Sequence, residues 1–168
     1  NRQELETVFD HYGDRLAAVI MEPTRHSDPE PGFLEAVRDG AHRCGALLIY
    51  DEVSIGWRFH LGGSHLKFGV NPDLAVFAKA LGNGHPIGAV IGTRAAMDGA
   101  HRSFISSTNW TESVGPVAAL ATIRKRTTRV AWLASSNNAS RGCVVAVEER
   151  MEAAIQQRHG RRTRQEGV

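Results

Sequence analysis

The chain has 168 residues, 42% of them hydrophobic, and a formal net charge of +2, which suits one globular domain and excludes collagenous and low-complexity classes. No apolar run approaches the roughly 18 residues of a membrane span, and "NRQELETVFDHYGDR" contains no signal-peptide core, so a cytoplasmic protein is expected. The charge is uneven: residues 1–123 carry 10 Lys/Arg against 14 Asp/Glu, whereas residues 124–168 carry 10 against 4. Such a basic segment could meet an acidic surface electrostatically, but basic termini are usually just solvated, and nucleic acid is not an expected partner. Cys44 and Cys143 have neither metal-ligand spacing nor the density of a disulfide scaffold and read as ordinary thiols.

In chain order, "RLAAVIMEP" is a short apolar run closed by Pro23 and reads as a buried strand followed by the loop "TRHSDPEPG". Phe33, Leu34, Val37, Ala41 and Cys44 then follow helical spacing, with prolines before and Gly45 after, which predicts an amphipathic helix over 32–44. "ALLIYDEV" reads as a second strand. A strand, helix, strand order with near-continuous apolar strands marks a parallel sheet flanked by helices, so the class is α/β. "DLAVFA" and "GAVIGT" add two strands joined through "KALGNGHPI", "RAAMDGA" a short helix, and residues 112–125 a longer one. No internal repeat is present.

In open α/β sheets ligands bind beyond the carboxyl ends of the strands. Asp51 and Glu52 end one apolar strand there and Lys79 ends another. Each alone is an ordinary loop charge. Together, a carboxylate and an amine at neighbouring strand ends can face one another across a site. His60, His65 and His85 fall in loops without partners at metal spacing, so no metal is expected. Trp57 and Trp110 either line a site or pack beneath it.

"LLIYDEVSIGWR" followed by "NPDLAVFAKALGNGHPIGAVIG" resembles the signature region of the class III aminotransferases, the pyridoxal-phosphate family that includes ω-aminotransferases and glutamate-1-semialdehyde aminomutase. The ordered elements are the "EP" after the first strand, the "DEV" with "GWR" beyond it, the "PD" before the lysine strand, the lysine and the "PIGA". The likeness covers roughly residues 16–124. It implies a partial fold-type-I large domain over 1–125, a mostly parallel sheet flanked by helices, followed by a poorly matching basic tail over 126–168.

The resemblance also implies roles. Lys79 would form the Schiff base with pyridoxal 5'-phosphate and shuttle a proton as general base. Asp51 would keep the pyridine nitrogen protonated, which makes the ring an electron sink. Val53 would pack against the ring. Thr111, aligned through the Gly115–Pro116 pair, would bind the cofactor phosphate of the neighbouring subunit, with Ser107 and Thr108 as substitutes; a simple helix cap is the other reading of Thr111. Partners would be a small-molecule amino donor and a carbonyl acceptor, and the working unit a homodimer. Missing from the pattern are the family's upstream glycine/serine phosphate loop and its small C-terminal domain, and the change of composition near Ile123 suggests a truncated gene or shifted frame. Two functions are therefore expected as alternatives: amino-group transfer through Lys79, or an inactive remnant that acts by binding.

Overall fold

The computed structural model describes residues 1–106 and 111–135. The chain divides into two compact units, residues 1–123 and 124–168. In the first, helix α1 (Arg2–Tyr12) opens the chain. Its start is locally encoded: Asn1 Oδ1 accepts the Glu4 N–H at 2.9 Å, and Glu4 reaches back towards the terminal amine at 3.7 Å. Phe9, one turn beyond Leu5, is buried with Ala41 and Ala46.

Strand β1 (Ala18–Met21) leads to helix α2 (Phe33–Arg43), close to the expected 32–44. The buried stripe Leu34, Val37 and Ala41 carries the predicted periodicity. Gly40 belongs to the same stripe because a Cβ there would run into the Phe9 ring. The helix ends in a Schellman arrangement, with Ala46 N–H on Ala41 O at 2.9 Å and Gly45 N–H on His42 O at 3.0 Å. Gly45 takes the left-handed φ of 72° that this stop requires.

Strand β2 (Leu47–Asp51), the short helix α3 (His65–Phe68), β3 (Leu74–Phe77) and β4 (Ala89–Gly92) follow, then a four-residue helix α4 (Arg94–Met97). The sheet order is β1-β2-β3-β4, with β1, β2 and β3 parallel and β4 antiparallel to β3. The turn region between β3 and β4 contains no crossover helix, so the chain returns beside β3 in the opposite direction.

Register separates the faces. Leu48 and Tyr50 lie on one side with Leu34, Val37 and Val70, and Val19 and Met21 pack on that cluster. Ile20, Ile49 and Leu74 share the opposite side, where Ile20 is 65% exposed. Asp73 explains the "PD" motif structurally. Its Oδ2 accepts the Leu48 N–H at 2.8 Å while its own N–H donates to Leu48 O at 2.8 Å, clamping the entry of β3 to β2.

Helix α5 spans Val114–Ser135, starting two residues later and running further than the expected 112–125. In the second unit, Thr127 is buried and Thr128 Oγ1 donates to Arg124 O at 2.9 Å. Cys143 lies outside the described residues, and Cys44 is a free thiol. Among the described residues no helix is long and apolar enough to cross a membrane.

Candidate active site

Because β2 and β3 are parallel neighbours, their carboxyl ends open on the same edge, and Asp51 is in register with Val76 three residues before Lys79. Asp51 turns the chain out of the strand: its Oδ1 accepts the Val53 N–H at 2.9 Å, an Asx turn. Val53 is half-buried beside it. Lys79 follows β3 with φ of 41°, a left-handed conformation rare for a residue with a side chain. Its side chain is exposed, and Nζ donates to Ser54 Oγ at 2.7 Å. The two strand ends are thus joined through side chains, with amine and carboxylate on one edge.

The turn beyond Lys79 is tight. Asn83 N–H donates to Lys79 O at 3.0 Å and His85 N–H to Gly82 O at 3.0 Å. Gly82 is needed there, since a Cβ would collide with His85 O and the Ile87 side chain. Lys79, Gly84, His85 and Pro86 line an open cleft of about 460 Å³ together with Arg58. Gly115, in the first turn of α5, sits close enough to Pro86 that a Cβ would lie 2.6 Å from the Pro86 carbonyl oxygen.

Glu52, between Asp51 and Val53, is completely buried. Its Oε1 is 2.9 Å from the donating Ser64 Oγ, 3.0 Å from the His65 N–H and 3.0 Å from His65 Nδ1, which donates in the tautomer protonated there. Burial by itself pushes this carboxyl up, but the hydrogen bonds from His65 and Ser64 outweigh it and hold the group below the usual glutamate range. Oε2 is buried without a hydrogen-bond partner among the described residues. Gly63 lies beneath this cluster, where a Cβ would strike the His65 ring.

The structure therefore brings Asp51, Val53 and Lys79 to one edge. Thr111 is exposed in the turn before α5, and no described hydrogen bond ties it to that group. The helix begins at Val114, with Val117 N–H donating to Ser113 O at 3.0 Å, so Ser113 occupies the capping position and Thr111 lies two residues outside it. Ser107, Thr108 and Trp110 lie outside the described residues. Trp57 is buried, and its backbone N–H donates to Gly62 O at 2.7 Å. His60 Nδ1 pairs with Leu61 O, His85 lines the cleft, and among the described residues no group of three His, Cys, Asp or Glu is placed to hold a metal.

Sequence reasoning did not single out Ser54, Ser64 or Arg58, and it left His65 as a plain loop residue. Ser54 had one available signal, its place directly after the "DEV" motif. The Ser64–His65 pairing with Glu52 had none, because it depends on how the intervening loop closes.

An amine and a carboxylate at adjacent parallel strand ends, beside an open cleft, put the candidate site of this α/β protein at the carboxyl edge of a mostly parallel sheet. The family model Aminotransferase class-III matches residues 1–162, and the chain belongs to that family. The match continues well into the basic segment. The chain is 41% identical over 126 residues to the 3-aminobutyryl-CoA aminotransferase of Cloacimonas acidaminovorans, covering 71% of this chain and 30% of that protein. Over 98 residues it is 46% identical to the glutamate-1-semialdehyde 2,1-aminomutase of Syntrophobacter fumaroxidans, covering 56% of this chain and 23% of that one.

Among solved structures, the pyridoxal-phosphate internal aldimine form of the FumI protein of Sphingopyxis sp. superposes with a TM-score of 0.70 at 32% identity, over 74% of this chain and 31% of that one. An omega-transaminase from Sphaerobacter thermophilus gives 0.68 at 33% identity, over 74% and 31%. The chain thus spans less than a third of the length of these relatives.

Proposed function

We propose that this chain carries the lysine-bearing part of a pyridoxal-phosphate site for amino-group transfer, with Lys79 as the residue that joins the cofactor. The observation that carries the reading is Lys79 itself: an exposed amine on a left-handed residue at the end of β3, beside an open cleft and one strand from the Asp51 carboxylate. The residues fit the group. An aldehyde needs a reachable amine, a pyridinium nitrogen needs an anionic neighbour, and Gly82 leaves room for the chain to fold tightly under the cleft.

Once bound, pyridoxal phosphate supplies an electron sink for the carbanion formed at the substrate carbon. Lys79 Nζ would be the covalent attachment point for the cofactor and, as a free amine, the base that holds and returns the proton of the substrate carbon. The Asp51 carboxylate favours the protonated ring nitrogen. Val53 would pack on the ring face. The Thr111 hydroxyl would donate to the cofactor phosphate of the neighbouring subunit, with a homodimer as the working unit. Small-molecule amino donor and carbonyl acceptor, and a cytoplasmic setting, belong to the same proposal.

The test is direct. The chain is incubated with pyridoxal phosphate, reduced with borohydride and mapped by mass spectrometry. The expected label is at Lys79 in preference to Lys67 and Lys125, and it disappears in Lys79→Arg. Soluble folded protein that takes no label there at saturating cofactor overturns the reading. One observation favours the alternative of an inactive piece that acts by binding: Phe104 is 96% exposed, and Ile20 and Ile91 are exposed too. The same experiment decides between them.

A further inference from the structure

Glu52 is tied at the carboxyl edge through both its backbone and its side chain. Its N–H donates to Val76 O at 2.9 Å, extending the β2–β3 ladder by one rung, and its own carbonyl accepts the Gly56 N–H at 2.8 Å. Its side-chain Oε1 collects donors from Ser64 and His65, at the start of α3. One residue therefore grips β3, the loop that leaves β2, and the far end of that same loop. Between these ties lies Ser54, whose hydroxyl accepts from Lys79 Nζ.

A buried carboxylate is an expensive way to close a loop, since its desolvation cost must be offset by hydrogen bonds, and a neutral group would close it more cheaply. What the arrangement achieves besides closure is a loop whose two ends are locked to one point, so that the exposed Ser54 is presented to Lys79 in one place. Trp57, within the loop, takes a φ of 63°, rare for a residue with a side chain, and its backbone N–H donates to Gly62 O at 2.7 Å.

We propose that Glu52 is a positioning residue: its buried carboxylate closes the loop of residues 53–63 onto the end of β2 and so holds the Ser54 hydroxyl against the Lys79 amine. It acts through Ser54 and touches no reacting atom. The inference rests on the assignment of Lys79 as the cofactor-joining residue for its functional meaning, but the physical linkage is measurable without cofactor.

The readout is competitive acetylation by limiting acetic anhydride, comparing Lys79 with Lys67 and Lys125, the chain's other lysines. Freeing the amine in Ser54→Ala raises the Lys79 ratio about two- to tenfold, the weight of one hydrogen bond. Ser54→Thr keeps the hydroxyl and restores the wild-type ratio. Glu52→Ala raises the ratio as Ser54→Ala does, and the double variant goes no further, because both changes break one linkage. Ser64→Ala, which removes a single donor, shifts the ratio in the same direction and replaces Glu52→Ala if that variant does not fold.

A merely structural Glu52 would lower the melting temperature and leave the ratio unchanged. Wild-type ratios in Glu52→Ala and Ser64→Ala, or full additivity with Ser54→Ala, overturn the proposal. Absence of a pyridoxal-phosphate label on wild-type Lys79 would overturn the functional reading instead, with the acetylation ratios still deciding the role of Glu52.

Discussion

Lys79 Nζ donates to Ser54 Oγ at 2.7 Å, and this contact ties together the loops that leave two adjacent parallel strands. The amine is therefore fixed from two directions, by the left-handed backbone beneath it and by the hydroxyl at its tip. Neither constraint is needed for the sheet. Both hold an exposed cation over the edge where Asp51 ends β2.

The backbone of Lys79 predicts a separation between stability and chemistry. At φ of 41° any Cβ is disfavoured, by roughly 1 kcal/mol or more, and glycine escapes this while losing more entropy on folding. Lys79→Gly is therefore expected to be more stable than Lys79→Ala by about 1 kcal/mol in urea unfolding, although both lack the amine. Equal stabilities would mean that the turn relaxes to a negative φ in solution.

Glu52 predicts a loss of stability in acid. Its carboxyl is held below the usual glutamate value of about 4.3, so between the folded and unfolded values the unfolded chain binds the extra proton. The contribution of Glu52 is thus complete above the ordinary glutamate range and is lost as pH falls through the depressed folded value. Urea midpoints measured from pH 7 to pH 3 should show Glu52→Gln less stable by about 1–3 kcal/mol at neutral pH, with the gap closing in acid. Parallel pH profiles would rule this out.

Tyr50 predicts the opposite limb. Its hydroxyl is buried in the core cluster without a partner among the described residues, and burial, with a lesser push from Glu35, raises its ionisation above the ordinary value of about 10. The unfolded chain then loses the proton first, so stability present below pH 10 declines as pH rises beyond it. Tyr50→Phe removes an uncompensated polar group. It is expected to be more stable by about 1 kcal/mol at pH 7 and to keep its stability further into alkali, as read by denaturant midpoints on both sides of pH 10. A destabilised Tyr50→Phe would show that the hydroxyl does have a partner.

Much of the scaffold is written locally in this chain. The apolar runs around Val19, Leu48, Val76 and Val90 each become a strand; Leu48 and Tyr50 are buried there, whereas Val90 and Ile91 stay exposed. The Phe33–Arg43 helix follows from a 3.6-residue stripe and a glycine stop. Helix α1 was equally encoded, in the Asn1 cap and the Leu5–Phe9 spacing, but its one-turn apolar contact is weak evidence until α2 is present to cover it. The motif residues Asp51 and Lys79 could be placed at strand ends from position alone.

What the sequence by itself determined, then, is the four strands, the helices α2, α4 and α5, the α/β class and the membership that the ordered motifs announce, since their signals lie in neighbours a few residues apart. Tertiary structure alone decided the reversal of β4 and the two linkages around the site. Lys79 meets Ser54 from 25 positions away, and Glu52 meets Ser64 from 12. Lys79 and Trp57 both take left-handed conformations that leave no periodic trace in the chain.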